Sequence, residues 1–216
     1  MKRRQFSLQL AGTGAVVAAA PFAPWAHAAN EPVEGRDYVK LSQPLPVTPG
    51  KIEVVEFFWY GCPHCNAFEP ALDAWQKKLP DDVAFKRVPV AFRQEPYVAH
   101  QRIYYALEAM GLVDTMHRKV FYAIHNERQR LDDLDDIAAF MQKNGVDADK
   151  FKAQYNSFSM QAKLQQARKL AAGYKIDGVP TLGINGRYFT SGSLVGTNEG
   201  ALRVADVLIE RSRKGG

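Results

Sequence analysis

Residues 52–65 have the sequence Ile-Glu-Val-Val-Glu-Phe-Phe-Trp-Tyr-Gly-Cys-Pro-His-Cys, and the fold depends on this stretch. Its first seven residues form a short apolar, β-branched run, which is typical of a buried strand. Gly61 ends the run, and Pro63 is suited to the first turn of a helix. The pattern therefore predicts a strand that leads into a helix, with Cys62 and Cys65 at the junction.

The segments that follow predict the rest of the architecture. Apolar residues at helical spacing continue to about Leu79, and residues 83–90 have the pattern of a second strand. Strand, helix and strand in this order indicate a parallel pair with a crossover helix. Residues 95–173 show four helical faces, residues 181–190 predict a β-hairpin, and a last helix is expected after Thr197. The fold class is therefore α/β, interrupted by a helical insertion.

The chain has only two cysteines. A disulfide framework would use several at wide spacings, and closing so short a loop removes little entropy from the unfolded chain. A zinc site usually needs four ligands, and the histidines at 100, 117 and 125 form no HxxxH pattern. The acidic run 132–136 lacks the glycine and distal glutamate of a calcium loop. The pair therefore favours redox chemistry, and no metal site is predicted.

The positive charge of the chain is concentrated at its start. The formal net charge is +5, from 28 basic and 23 acidic residues. Residues 1–28 contain three basic residues and no acidic one, which leaves 25 basic against 23 acidic residues, or +2, for the remainder. This balance gives no indication of a basic stripe that would bind nucleic acid.

Residues 1–28 predict an export signal. Basic residues precede an apolar stretch at 8–20, and Ala26-His27-Ala28 is a small-x-small cleavage pattern. The apolar stretch is shorter than the roughly 20 residues of a spanning helix. Arg3-Arg4-Gln5-Phe6-Ser7-Leu8 also resembles a twin-arginine signal, and an ordinary secretory leader is the alternative. The mature protein is expected to be soluble and to work in an oxidising compartment.

The position of Cys62 predicts a stabilised thiolate, the species that attacks and leaves in disulfide exchange. Unpaired backbone N–H groups and the dipole at the mouth of a helix favour negative charge. The dipole contributes up to ~2 kcal/mol, whereas a shift of several pKa units requires ~1.4 kcal/mol for each unit. Additional donors are therefore expected, and His64 is the candidate. Pro63 removes one donor but fixes the turn.

Three motifs carry a family resemblance. Residues 56–65 resemble the active-site region of the DsbA family of periplasmic disulfide oxidases. Gly178-Val179-Pro180-Thr181 resembles the cis-proline loop of that family, and Asn185-Gly186-Arg187-Tyr188 resembles the hairpin after it. The resemblance covers nearly all of the chain after the leader, and it implies a thioredoxin fold with an inserted helical domain. The expected divisions are a signal peptide at 1–28, a thioredoxin-like domain at 29–93 and 174–216, and a helical insertion at 94–173.

The resemblance implies a role for each residue of the site. Cys62, the more exposed cysteine, would form the mixed disulfide with a substrate, and Cys65 would be its internal partner. A cis Val179–Pro180 bond would shape the peptide-binding edge, where the Val179 backbone pairs with an extended substrate. Glu56 corresponds to a buried acid beneath the dithiol, which could accept a proton from Cys65.

Glu56 is expected to need a basic partner, because a charge in an apolar strand is costly unless it is paired. The candidates on the next strand are Lys86 and Arg87. A matched register favours Arg87, although the family usually has a lysine as the partner. The alternative for both bases is a solvated strand end.

The resemblance finally implies a function. The chain would be a periplasmic dithiol oxidase that donates its Cys62–Cys65 disulfide to newly exported, cysteine-containing proteins. A DsbB-like membrane oxidase, which passes electrons to quinone, would reoxidise it. No cofactor beyond the redox-active disulfide is expected, and the chain is expected to be a monomer. A disulfide isomerase or reductase on the same fold is one alternative, and a binding module whose cysteines are incidental is another.

Overall fold

The computed structural model describes residues 31–215, which contain a mixed five-stranded sheet in the order β1-β5-β4-β2-β3. Strands β2 and β3 are parallel, and the other neighbouring strands are antiparallel. The predicted parallel pair is therefore confirmed. The strands are β1 (Val39–Lys40), β2 (Ile52–Phe58), β3 (Val83–Pro89), β4 (Thr181–Ile184) and β5 (Tyr188–Ser191).

Helices α2 to α6 lie between β3 and β4 in the chain, where the sequence predicts the helical insertion. The helices of the described residues are α1 (Pro63–Gln76), α2 (Tyr97–Ala109), α3 (Val113–His125), α4 (Leu134–Lys143), α5 (Ala148–Tyr155), α6 (Phe158–Gly173), α7 (Gly192–Val195) and α8 (Asn198–Arg213).

Two details of the predicted helices are wrong. Helix α1 ends at Gln76 rather than near Leu79, because the chain tightens there into i,i+3 bonds such as Lys78 N to Trp75 O at 3.0 Å. Helices α5 and α7 have no counterpart among the predicted elements. Helix α5 has eight residues and buries only Phe151 and Tyr155, too few for a periodic pattern to emerge.

Strand β2 is the centre of the fold, and all seven of its residues are buried. It lies between β3 and β4, and successive side chains point to opposite faces of the sheet. Val54 packs with residues of α1 and α8, whereas Val55 and Phe57 pack with the helices of the insertion. The strand therefore holds both cores together, and its end leads directly to the two cysteines.

The turn between β4 and β5 and the start of α8 form where the sequence predicts them. Asn185 and Gly186 join β4 and β5 with positive φ angles of 50° and 65°. A side chain at Gly186 would lie 2.4 Å from the Leu45 carbonyl oxygen, so only glycine fits. Thr197 caps α8, and its hydroxyl accepts a hydrogen bond from Gly200 N at 2.9 Å.

The predicted export signal at 1–28 lies outside the described residues. Within residues 31–215, no helix has the length and apolar character needed to cross a bilayer. The division into domains at 29–93, 94–173 and 174–216 stays a prediction.

Candidate active site

Cys62 is the N-cap of α1, as the strand-to-helix pattern predicts. Its backbone is extended, with φ −84° and ψ 116°, and Pro63 occupies the first helical position. The sulfur of Cys62 accepts a hydrogen bond from the backbone N–H of Cys65 at 3.4 Å. The thiol therefore replaces the usual capping oxygen and meets the positive end of the helix dipole.

The loop before β4 brings a distant backbone group onto the same sulfur. The Cys62 thiol donates to the carbonyl oxygen of Val179 at 3.4 Å, although the two residues are 117 positions apart. The Val179–Pro180 bond is cis, as the resemblance implies. Val179 and Pro180 therefore lie directly beside the dithiol.

The two thiols differ in exposure and in acidity. Both cysteines are in the dithiol form; Cys62 is 7% exposed and Cys65 is fully buried. The pKa of Cys62 is lowered to about 6, chiefly because the Cys65 thiol donates to its sulfur, with smaller contributions from the backbone N–H groups of Cys65 and His64 and the charge of His64. The pKa of Cys65 is raised well above its usual range by burial. The sequence indicates the dipole and His64, but the largest contributor is Cys65.

The titration of Cys62 can be measured directly. The thiolate absorbance of the reduced protein is expected to rise near pH 6, and the oxidised protein should show no such step. Because the folded pKa lies below the unfolded value of about 8.5, the reduced fold gains stability as pH rises from 6 to 8.5 and loses it as pH falls through 6. The gain is at most about 1.4 kcal/mol per pH unit. Reduced Cys62→Ser is the control, and an absorbance step near pH 8.5 in the wild type would contradict the prediction.

Glu56 and Arg87 face each other across β2 and β3. They are register partners, and Arg87 Nε lies 3.0 Å from Glu56 Oε2. Lys86 instead contacts Glu53, with Nζ 2.7 Å from Oε2. The alternative of a solvated strand end does not describe Arg87, whose side chain is only 9% exposed. Burial raises the pKa of Glu56 well above its usual range, and nearby Glu69 adds to this while Arg87 opposes it.

Arg87 also contacts acidic residues of α1, in a buried network that the sequence pattern does not predict. Its Nη2 lies 3.4 Å from Glu69 Oε2 and 2.9 Å from Asp73 Oδ1. Glu69 is fully buried, as are its helix neighbours Cys65 and Leu72. The spacing of these residues places Glu69 on the apolar face of α1. An acid at such a position can be recognised from the sequence as a buried charge that needs a partner.

His117 extends the network from Glu69 to the segment before the dithiol. Its Nε2 lies 3.1 Å from Glu69 Oε1, and its Nδ1 lies 2.8 Å from the hydroxyl of Tyr60. Burial lowers the pKa of His117, so the ring is neutral at pH 7. We assign the proton to Nε2, which donates to Glu69 while Nδ1 accepts from Tyr60, because this tautomer satisfies both bonds.

The pKa of Glu69 is lowered although the residue is buried. Burial alone would raise its pKa, but the bond with His117 and the charges of Arg87 and Arg118 outweigh burial and lower that pKa. The lowered pKa favours the ionised form of Glu69 beside Arg87, whereas the raised pKa of Glu56 favours its neutral form. Glu56 also acts electrostatically on Cys65, where it adds to the effect of burial in raising the pKa of that thiol.

The histidines considered for zinc bind separate partners. His125 Nε2 lies 2.8 Å from the Tyr60 carbonyl oxygen, and His100 Nε2 lies 3.0 Å from the Arg130 carbonyl oxygen. Across residues 31–215, no three His, Cys, Asp or Glu side chains are grouped as a metal site would require. Asp133, in the acidic run, caps α4 by accepting from the backbone N–H of Asp135 at 2.8 Å.

A cavity of about 300 Å³ opens beside the dithiol. It is lined by His64 of α1, by Val179 and Pro180, by the start of α7, and by the turn that joins α7 to Asn198 of α8. The side-chain amide of Asn198 lies 3.5 Å from the His64 carbonyl oxygen, at the limit of a hydrogen bond. The cavity therefore adjoins both the active-site helix and the cis-proline loop.

Comparison with known proteins matches this geometry to one family. The family model described as the DSBA-like thioredoxin domain matches residues 53–199. A thiol:disulfide interchange protein DsbA of Pseudomonas aeruginosa is 46% identical over 187 residues, which cover 86% of this chain and 88% of the relative. The protein of the same name from Azotobacter vinelandii is 46% identical over 181 residues, covering 83% and 84%.

Solved structures show the same similarity. A crystal structure of Pseudomonas aeruginosa DsbA is similar with a TM-score of 0.83 and 45% identity, covering 87% of this chain and 97% of the other. The oxidoreductase NmDsbA1 from N. meningitidis has a TM-score of 0.75 and 29% identity, covering 85% and 95%. These similarities confirm the predicted α/β fold, a thioredoxin fold with inserted helices.

Proposed function

The chain belongs to the DSBA-like thioredoxin family and is a thiol:disulfide oxidoreductase, and from this premise we propose that it is a periplasmic oxidase that donates its Cys62–Cys65 disulfide to newly exported proteins. The observation that carries the proposal is the contrast between the two thiols. The pKa of Cys62 is lowered to about 6, whereas that of the buried Cys65 is raised. A stabilised Cys62 thiolate favours the reduced protein and makes its disulfide a strong oxidant.

The proposed reaction has two exchange steps. A client thiolate attacks the Cys62 sulfur of the disulfide, which forms a mixed disulfide and releases Cys65 as the leaving thiolate. The second client thiolate then attacks the client sulfur of the mixed disulfide and releases the Cys62 thiolate. The client loses two electrons and forms its disulfide, while the Cys62–Cys65 pair gains them. Because the pKa of Cys62 is about 6, the second leaving group is a good one at neutral pH.

The supporting residues act on the two leaving thiolates. We assign Glu56 to give a proton to Cys65 as it leaves and to take it back when the disulfide re-forms, since its raised pKa suits both directions. Arg87 holds the Glu56 carboxyl in place from β3. His64 contributes its backbone N–H and its charge to the Cys62 thiolate. Pro63 sets the first turn of α1.

The client is proposed to bind as an extended chain along Val179 and Pro180. The Val179 carbonyl oxygen already lies within hydrogen-bond distance of the Cys62 sulfur. A client cysteine joined to Cys62 would therefore lie beside the loop that precedes β4, where the Val179 backbone could pair with the client chain. This contact is independent of client sequence, which suits an oxidase that acts on many unfolded proteins.

Turnover requires reoxidation by a partner. We propose a DsbB-like, quinone-linked membrane oxidase in this role and export through the signal at 1–28, by the twin-arginine or the general secretory route. The dithiol itself carries both electrons, so no other cofactor is assigned. The protein is proposed to act as a monomer and not on nucleic acid.

A redox titration tests the direction of exchange. Equilibrated with glutathione buffers, the Cys62–Cys65 pair is expected to have a potential more oxidising than about −180 mV, the value typical of protein disulfide isomerase. The oxidised protein should also convert a reduced peptide dithiol to its disulfide without reshuffling scrambled disulfides at a comparable rate. A potential near −270 mV, typical of the reductant thioredoxin, or efficient reshuffling would favour the reductase or isomerase alternative instead.

A further inference from the structure

A second cavity, of about 600 Å³, lies against the same active-site helix. It adjoins Asn66 in the first turn of α1 and is otherwise lined by residues of α3, α4 and the turns after them. The lining residues include Asn66, Arg118, Lys119, Tyr122, Asn126 and Lys143. The proposed reaction uses none of these residues.

Helix geometry places this cavity on the opposite side of the dithiol from the peptide edge. Successive residues of an α-helix turn by about 100°, so His64 and Asn66 are about 200° apart around α1. His64 lines the cavity beside Pro180, and Asn66 lines the second one. Asn66 N donates to the carbonyl oxygen of Cys62 at 3.1 Å, and a chain linked to Cys62 has only about one helical turn to cross.

The cavity is basic. Arg118, Lys119 and Lys143 line it with one acid, Glu127. The three bases are exposed, and among residues 31–215 none of them contacts a carboxylate within ion-pair distance. Arg118 only approaches the Asn66 carbonyl oxygen, at 3.5 Å, and Glu127 accepts from the Gln129 side chain at 2.6 Å.

The cavity also offers groups suited to a polypeptide. Tyr122 is 56% exposed, although most large apolar and aromatic side chains of the described residues are buried. Asn126 is exposed and adds an amide group that can donate to and accept from a peptide backbone, whereas the Asn144 amide already donates to the Phe140 carbonyl oxygen at 2.9 Å. A volume of about 600 Å³ is within the range of ligand-binding clefts.

We propose that this cavity binds an acidic segment of the client polypeptide whose cysteine is engaged at Cys62. The proposal rests on the proposed function and deepens it, since it assigns a preferred class of client. A client held at Cys62 has a high effective concentration at the cavity, so weak ionic contacts suffice to favour it. Electrostatic attraction from three bases also speeds the encounter with acidic chains.

The test compares two peptides and two protein variants. The probes are a short dithiol peptide with glutamates on both sides of its cysteines and the same peptide with glutamines. The wild-type protein is expected to oxidise the glutamate peptide with a kcat/KM about tenfold higher at low ionic strength, a size typical of electrostatic steering. Lys119→Glu/Lys143→Glu should reduce this ratio to one or below. Arg118 is left unchanged, because its charge acts on the buried Glu69.

The matched control is Arg168→Glu/Lys169→Glu, which reverses two exposed charges on α6. It has the same net charge as the test variant and should keep the tenfold ratio. The proposal is overturned if the wild type shows no preference, or if the control loses the preference equally. It is also overturned if the lysine pair governs binding to anionic lipid vesicles but not to the glutamate peptide.

A wrong assignment of the oxidase function would give a different result from a wrong assignment of the cavity. In that case the wild type would not oxidise even the glutamine peptide, whatever the cavity binds. The cavity is then tested by equilibrium binding of the glutamate peptide with its cysteines replaced by serine. The test variant is expected to bind it at least threefold more weakly than the control variant, and equal affinities would overturn the proposal.

Discussion

Cys62→Ser is expected to abolish disulfide exchange with a peptide dithiol, lowering the rate by more than about a thousandfold. The serine hydroxyl cannot form the mixed disulfide. Cys65 cannot replace Cys62, because Cys65 is fully buried and its pKa is raised well above the usual range. The rate of peptide oxidation is the measurement. A variant that oxidised the peptide at the wild-type rate would show that the roles of the cysteines are assigned wrongly.

The matched variant is Cys65→Ser, which changes the other sulfur by the same substitution. It keeps the Cys62 thiol but removes the internal partner, so a client joined to Cys62 cannot be released by Cys65. We expect client peptides whose cysteine is activated as a disulfide with a small aromatic thiol to form a mixed disulfide that accumulates on Cys65→Ser and is absent from Cys62→Ser, because the Cys62 thiolate attacks the client sulfur and the aromatic thiolate leaves. Mass spectrometry of the trapped species distinguishes the two. Accumulation on Cys62→Ser instead would reverse the assignment.

Arg87→Met is expected to destabilise the protein by about 3–5 kcal/mol at neutral pH, the cost of leaving buried charge without its partner. Arg87 contacts three acids, Glu56, Glu69 and Asp73, and its side chain is 9% exposed. Without the guanidinium, the folded pKa values of the buried acids would rise further. The loss should therefore be largest above the unfolded pKa of about 4.3 and should shrink at lower pH, where both states bind the protons. Urea unfolding of the oxidised protein measures it.

An exposed ion pair serves as the control for Arg87. Lys163 contacts Glu108 at 2.8 Å, with both side chains more than a third exposed. Lys163→Met should cost less than about 1 kcal/mol, as is usual for surface pairs. Arg87→Lys should lie between the two, because it keeps the charge but cannot reach three acids with one ammonium group. If Arg87→Met cost no more than Lys163→Met, the buried network would not stabilise the fold.

The pairing of Glu56 with Arg87 shows how much a strand pattern can predict about contacts between strands. Arg87 could be preferred over Lys86 from the sequence, because neighbouring positions of a strand point to opposite faces and only one matches the register of Glu56. The structure has Glu56 and Arg87 as register partners. The strand pattern could not predict that Arg87 contacts two further acids, Glu69 and Asp73. Both belong to α1, and how a helix packs on a sheet does not follow from the pattern of a single strand.

Interactions between neighbouring residues of the chain explain most of what the sequence alone determined about this protein. The buried strand, the helix that begins after Cys62, the Asn185-Gly186 turn and the cap at Thr197 all depend on the conformational preferences of a few adjacent residues. The cysteine pair and its place at a helix mouth were determined in the same way. They were sufficient to indicate redox chemistry, because the thiolate responds to the backbone N–H groups around it.

Only the tertiary structure decided which distant groups meet these residues. Val179 reaches the Cys62 sulfur from 117 positions away, and His117 reaches Glu69 from 48. The main cause of the low pKa of Cys62, the donation from the Cys65 thiol, depends on how the two sulfurs are oriented within the packed core. Such contacts form when helices and sheet pack together, and burial then multiplies the effect of each charge and hydrogen bond. The sequence therefore determined the reactive pair, while packing determined how acidic it is and which groups surround it.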